Sequence, residues 1–319
     1  MAFSSNVTTF TLSGLNLTRG NKYIFFSLAL LAYLMMLFFN LCLAITILQV
    51  KTLHEPMYIF LCNLCINGIY GTSGFYPKFL LDIISDSNDI SYNGCLLQIF
   101  VIYGGVMCDF STLTVMAYDR TVAICQPLRY HSIMTTQAVV LSLMFCWMCP
   151  LFCSVLIITM TSVLPLCGSQ IDKLYCDNWS VVRLSCVPVT LNNVIGFIVI
   201  LLFMAHALFI MYSYKKLISA CRNSKEDTLK FMQTCVPHLF SIINFAVSVL
   251  FDTMYSRYGS RVSSQSEHVR NFMSLELLII PPLFNPIIYG LKLTELRTRI
   301  MRPCQRHIVR NNELRRKIR

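Results

Sequence analysis

Seven stretches of this chain are long and apolar enough to cross roughly 30 Å of hydrocarbon, and nothing else in the sequence limits the fold so tightly. They cover 24–50, 57–81, 96–120, 138–161, 192–216, 232–256 and 270–291. Lipid offers no water to the backbone, so a spanning segment must bond its own N–H and C=O groups, as helices and closed barrels do. Runs of this length read as helices. The chain is 55% hydrophobic and only 13% charged, where soluble domains carry roughly 25% charged residues. The sequence therefore predicts an all-α membrane protein, a seven-transmembrane helical bundle with no separate soluble domain. Residues 1–23 form an outer N-terminus, 24–291 the bundle and 292–319 a tail. The first run lacks the short apolar region and cleavage site of a removable leader and reads as a retained span.

Orientation follows from the basic residues. With the N-terminus outside and the C-terminus inside, Lys51, Arg120, Arg129, the bases between 215 and 230 and those from Lys292 to Arg319 all face the cytoplasm. The opposite loop 82–94 holds Asp82, Asp86 and Asp89 and no base. The net charge of +11 thus reflects topology and contact with anionic inner-leaflet lipid, and no nucleic-acid partner is expected. In the tail, Leu293, Leu296 and Ile300 alternate with bases in the manner of a short helix lying at the inner membrane face.

Of 15 cysteines, Cys95, Cys167, Cys176 and Cys186 fall on the outer, oxidising side. Four cysteines allow three connectivities. Cys42, Cys62, Cys108 and Cys149 lie inside spans and read as small buried hydrophobes. Asn6, Asn16 and Asn178 open N-glycosylation triplets on the outer side. No catalytic constellation is present: HExxH, a P-loop and Gly-x-Ser-x-Gly are all missing, and Cys62 and Cys65 sit in an apolar span. The chain does not read as an enzyme, and no cofactor is expected.

The residues Met116-Ala-Tyr-Asp-Arg-Thr-Val-Ala-Ile-Cys125 closely resemble the MAYDRYVAIC signature of olfactory receptors, a large family of rhodopsin-like G-protein-coupled receptors. Leu53-His-Glu-Pro-Met-Tyr-Ile-Phe-Leu61, Ser213-Tyr214, Lys230-Phe-Met-Gln-Thr-Cys-Val-Pro-His-Leu239 and Pro281-Pro-Leu-Phe-Asn-Pro-Ile-Ile-Tyr289 are similar to further motifs of the family, in the family's order. The likeness runs from about residue 20 to about 300. Four positions depart from the pattern. Thr121 replaces the usual Tyr, Phe39 precedes Asn40 in place of Gly, Gly68 stands where most rhodopsin-like receptors carry an acid, and Ala246 replaces Tyr.

The resemblance implies a small-molecule odorant, a heterotrimeric G protein of the stimulatory olfactory type acting on adenylyl cyclase, and the plasma membrane of sensory cilia. It implies a cytoplasmic switch built from Asp119, Arg120, Tyr214, His238, Asn285, Pro286 and Tyr289, with Asp119 and Arg120 as an ionic latch. It also implies disulfides Cys95–Cys176 and Cys167–Cys186. Asp109 lies where the family has Glu, and two readings stand: a sodium ion held with help from Asn40, Asn67 or Asn285, or a helix-to-helix hydrogen bond. Glu276 has no partner legible in the sequence.

For the ligand pocket the candidates are Ile102, Tyr103, Val106 and Met107 on the third span, and Asn244, Phe245, Ser248, Phe251, Asp252, Tyr255 and Arg257 on the sixth. Such stripes serve equally as core. Arg257 stands where some relatives hold a carboxylate ligand; it also reads as a snorkelling base paired with Asp252. Ile102 and Ile279 occupy the places of the amine-receptor Asp and the opsin Lys, so neither a biogenic amine nor retinal fits. A non-olfactory chemoreceptor shares every one of these features. A polytopic transporter predicts inverted repeats, and the sequence shows none.

Overall fold

The computed structural model describes residues 7–13, 15, 19–85, 87–221, 225–258, 275–276 and 278–287. In chain order the elements are β1 (Thr9–Leu12), α1 (Arg19–Gln49), α2 (Pro56–Ser73), α3 (Tyr76–Ser85), β2 (Asp89–Ser91), α4 (Tyr92–Cys125), α5 (Tyr130–Ile133), α6 (Thr136–Ser162), β3 (Gln170–Ile171), α7 (Asn178–Val182), α8 (Thr190–Cys221) and α9 (Lys225–Tyr258). The last apolar helix, here α10, covers Leu278–Ile287. The spans are α1, the α2–α3 pair, α4, α6, α8, α9 and α10, a seven-helix bundle in which several helices overrun the expected limits at both ends. Four of them, Gly20–Gln49, Tyr92–Cys125, Thr136–Ser162 and Thr190–Ala220, are long and apolar enough to cross a membrane on their own. The amphipathic tail and Asn6, Asn16 and Tyr289 lie outside the described residues.

The second span is broken for a local reason. Pro77 has no N–H to give the carbonyl of Ser73, so the helix stops at Ser73 and restarts at Tyr76. The break leaves Gly74 outside both helices, and Gln98 Nε2 of α4 donates to its carbonyl at 2.9 Å. A second proline acts alike in α10. Pro286 cannot donate to Pro282, and Asn40 Nδ2 of α1 supplies that carbonyl at 2.8 Å. Both repairs tie one helix to another where lipid would punish an unpaired backbone group.

Helix α4 is the hub. Some 67% of its most apolar stretch is buried, against 28% or less for the other three long spans. Asn63 of α2 donates to Thr112 Oγ1 of α4 at 2.9 Å and accepts from Trp147 Nε1 of α6 at 2.7 Å. One asparagine thus joins three helices. Hydroxyls within spans bond to their own helix, as Thr46 does to Cys42 O and Thr114 to Phe110 O. The core of the bundle gathers Phe60, Leu61, Leu113, Cys146, Ile210 and Phe245, so the span cysteine Cys146 behaves as a small apolar residue. Cys62, Cys65 and Cys108 are likewise buried and free.

The outer face adds a small sheet to the helical bundle. β1 is the central strand of a small sheet, antiparallel to β2 with Phe10 opposite Ile90, and parallel to β3 with Leu12 opposite Ile171. Phe10, Leu12, Ile90 and Ile171 are buried beside Cys95, Ile99 and Cys176. Segments of two to four residues carry too little alternation to declare themselves as strands in a sequence. Cys95 at the start of α4 is joined to Cys176, and Cys167 to Cys186, so the long loop after α6 is pinned to the bundle and closed on itself.

Helices α2 and α4 cross through glycine. A Cβ on Gly105 would come within 2.9 Å of Gly71 Cα, a backbone atom that cannot rotate away, whereas one on Gly20 would meet nothing within 4 Å. Close glycine crossings of this sort let helix backbones pack in lipid. Gly105→Ala should destabilise the solubilised protein by roughly 1–3 kcal/mol, the usual cost of overpacking, and lower its surface level. Gly20→Ala should do neither. Thermal unfolding of the two variants checks this, and equal melting temperatures would contradict it.

Candidate functional site

A cavity of about 120 Å³ opens among α4, α8 and α9 beneath the loop that holds α7. Its α4 wall is Ile102, Tyr103, Val106, Met107 and Phe110. The α9 wall is Ala246, Val249, Leu250, Thr253, Ser256 and Arg257, with Asp252 beside them. The spacing of the α9 positions is one helical face. Facing them on α8 are Gly196, Val199, Ile200, Phe203 and Met204. The inner end is thus apolar, and polar groups collect under the roof.

On α4 all four expected positions line this space. On α9, Asp252 and Arg257 line it as expected, but the rest of the expected face is out of phase. Asn244, Phe245, Ser248 and Phe251 are not among the described residues that line the cavity, and the side chain of Tyr255 lies outside those described. Asn244 and Ser248 turn instead to Glu276 near the seventh span: Asn244 Nδ2 donates to Glu276 Oε1 at 2.8 Å, and the Ser248 hydroxyl makes a short bond to Oε2. Phe245 packs on Phe110 with ring centroids 4.7 Å apart. These contacts pair the half-buried acid of the seventh span and set the rotation of α9. Ala246, in place of the family's Tyr, then faces the cavity and leaves room there.

The roof holds two charges that sequence reasoning passed over, Lys173 and Asp177, beside the expected Asp252. Lys173 is 3% exposed, and its ammonium lies 2.8 and 2.9 Å from the two oxygens of Asp252 and 3.6 Å from Asp177 Oδ2. Tyr175 OH donates to Asp252 Oδ2 at 3.1 Å. Burial alone would depress the Lys173 pKa, but Asp177 and Asp252 outweigh it and hold it above the usual lysine value. Burial, reinforced by Asp252, pushes the Tyr175 phenol well up. Both stay protonated at neutral pH. Removing one member of such a buried pair typically costs roughly 3–5 kcal/mol. A lone loop lysine gives no sequence signal for this; only its proximity to Cys176 hints that it is held down.

Arg257 does not snorkel outward. Its guanidinium lies 4.4 Å from the ring centres of both Trp179 and Phe197 and makes a short hydrogen bond to Asn193. Gly196 leaves the space it needs, since a Cβ there would meet Nη2 at 2.5 Å.

Asp109 sits below the cavity, 9% exposed. Asn67 Nδ2 donates to its Oδ1 at 2.6 Å and to Gly105 O at 2.8 Å, while Asn67 Oδ1 is buried without a hydrogen-bond partner. Asn40 is engaged with Met36 O and Pro282 O instead. A Cβ on Gly68 would press to 3.1 Å of Asn40 Oδ1, so the missing acid leaves room for that asparagine.

At the cytoplasmic end Asp119 is 1% exposed and accepts from Tyr130 OH of α5 at 2.8 Å. The expected latch acid is thereby tied to the following turn. Arg120 Nε is buried without a hydrogen-bond partner. Thr121, in place of Tyr, returns its hydroxyl to Ala117 O at 2.8 Å. Tyr214 and Asn285 are 2% and 6% exposed, and Pro286 is buried beside Asn285. His238 falls on α9, but its side chain is not among those described.

Asn178 is placed against the glycosylation expectation. Its Oδ1 accepts from Thr161 Oγ1 at 2.7 Å, and the residue lines the cavity. A glycan needs a solvent-facing amide, and this one points into the protein. Asn178→Gln should leave electrophoretic mobility unchanged, before and after glycosidase treatment. A mobility gain equal to the loss of one glycan would overturn this.

Comparison with known proteins agrees with the geometry. The sequence model described as "Olfactory receptor" matches residues 28–306. The chain is 34% identical to human olfactory receptor 52D1, covering 85% of this chain and 86% of that one. It is 33% identical to human olfactory receptor 13D1, over 95% and 88%. It is 34% identical to rat olfactory receptor 1, over 96% and 97%. A seven-helix membrane bundle with a roofed cavity, carrying these motifs in order and this similarity along its length, belongs to the olfactory receptor family of G-protein-coupled receptors and is a receptor, not an enzyme.

Proposed function

We propose that an odorant bound in the cavity between α4, α8 and α9 drives this receptor to signal through the stimulatory, olfactory-type G protein to adenylyl cyclase, in the cilia of olfactory sensory neurons. The observation that carries the reading is the cavity's place. Two of the helices that wall it, α4 and α8, bear Asp119, Arg120 and Tyr214 at their cytoplasmic ends. A ligand acts by its differential affinity for two states of the bundle. The favoured state is one in which α9 swings away from Arg120 and the opened mouth takes the C-terminus of the G-protein α-subunit. The buried, unpartnered Nε of Arg120 supports this, because an incoming carbonyl would satisfy it. The apolar inner wall and polar outer end suit a small molecule with one polar group. Arg120→Ala, at wild-type surface level, should abolish odorant-evoked cyclic AMP. Retained signalling in that variant rules the mechanism out.

Sodium is proposed as a modulator at Asp109. The carboxylate and the orphaned Asn67 Oδ1 beside it are oxygen donors of the type a hard cation takes, and they would hold the ion between α2 and α4. When bound, the ion would supply a positive charge that stabilises the resting packing. Asp109→Asn should fold, since an amide can also bond to Asn67, yet lose any sodium dependence of basal signalling. If sodium titration shifts wild type and variant alike, the carboxylate is a structural hydrogen-bond partner only.

A further inference from the structure

The roof of the cavity already contains a bound cation, and it belongs to the protein. The Lys173 ammonium rests 2.8 and 2.9 Å from Asp252 Oδ1 and Oδ2, 3.6 Å from Asp177 Oδ2 and 5.3 Å from the centre of the Tyr175 ring. Asp252, Asp177 and Tyr175 all line the cavity, whereas Lys173 is not among its lining residues. Two carboxylates and an aromatic face are the groups that recognise an alkylammonium ion. We propose that Asp177, Tyr175 and Asp252 form a primary-ammonium subsite of the ligand cavity, which Lys173 fills from the loop side as a tethered ligand. Lys173 is then a specificity determinant: it keeps alkylamines out of the native receptor, and its loss admits them.

The charges at the subsite favour this arrangement. With Lys173 in place, the subsite offers an incoming cation two carboxylates that are already neutralised in part, one of them by a bidentate contact. An amine odorant would have to displace an ammonium covalently held at the site, at an effective concentration that free ligand does not match. Direction of approach matters as well. Ser13 N donates to Lys173 O at 3.0 Å, so the lysine backbone is held by the N-terminal segment while its ammonium reaches the two carboxylates.

The inference rests on the cavity being the ligand site but not on how the receptor signals, and its test reads binding alone. Lys173→Ala removes three methylene groups and the ammonium, which are the atoms of n-propylammonium. In detergent-solubilised full-length receptor, n-propylamine at about ten times its Kd should raise the Tm of Lys173→Ala by about 2 °C. 1-Propanol should not. Wild type and Lys173→Ala/Asp252→Asn should be unmoved by the amine. No shift in Lys173→Ala, or an equal shift in wild type or the double variant, overturns the proposal. Where Lys173→Ala cannot be purified, its surface level in cells grown with n-propylamine or with 1-propanol decides the question. Recovery with the amine alone sustains the subsite, and equal levels with both refute it. Because cyclic AMP is not read, failure here is distinct from failure of the signalling mechanism.

Discussion

In hydrocarbon a backbone group without a partner is more costly than almost any packing defect, and the bundle is organised around the places where that threatens. Helices satisfy themselves except where proline removes a donor. At Pro77 and Pro286 the chain cannot close its own ladder, and side chains from other helices supply or accept what is missing. Gln98 holds the Gly74 carbonyl at the break in the second span and also accepts from Cys176 N at 2.8 Å. A single amide thus couples a helix break to the disulfide-pinned roof. Asn40 does the corresponding work between the first and seventh spans. Each of these two repairs is also an interhelical contact, so at Pro77 and Pro286 a disturbed helix is held by its neighbour.

That logic explains what could be read from the chain beforehand. Span number and orientation follow from apolar length and basic residues, both local properties, whereas the break of the second span at Pro77 was not anticipated. The disulfide pairing came from likeness to relatives, and spacing alone left three connectivities open. The positions of Ile102, Tyr103, Val106 and Met107 on the cavity wall were legible because α4 is buried along much of its length and its phase relative to Arg120 is fixed.

The sixth span was harder. Its rotation is set by Phe245 against Phe110 and by Glu276 reaching Asn244 and Ser248, contacts between residues far apart in the chain. A hydropathy pattern with mixed polar residues on several faces does not reveal which face turns inward. Lys173 and Asn178 were opaque for a related reason. In a loop a lysine or a glycosylation triplet reads as solvent-facing by default, and only the fold of the roof shows both turned toward the protein. The residues that depart from the family pattern are accommodated without strain: Thr121 bonds back to its own helix, Gly68 gives way to Asn40, and Ala246 becomes cavity wall.

The place of β1 at the centre of the outer sheet has a consequence for the order of assembly. Its partners are Ser91, Ile90 and Asp89 on one side and Gln170 and Ile171 on the other. The N-terminal strand therefore leaves the ribosome long before either neighbour, and its second neighbour follows only after the fourth span is made. Pairing over such separations pays a large loop-closure entropy before any contact rewards it. The sheet is accordingly among the last parts to form, and a folded outer face certifies that the first four spans have already taken their places.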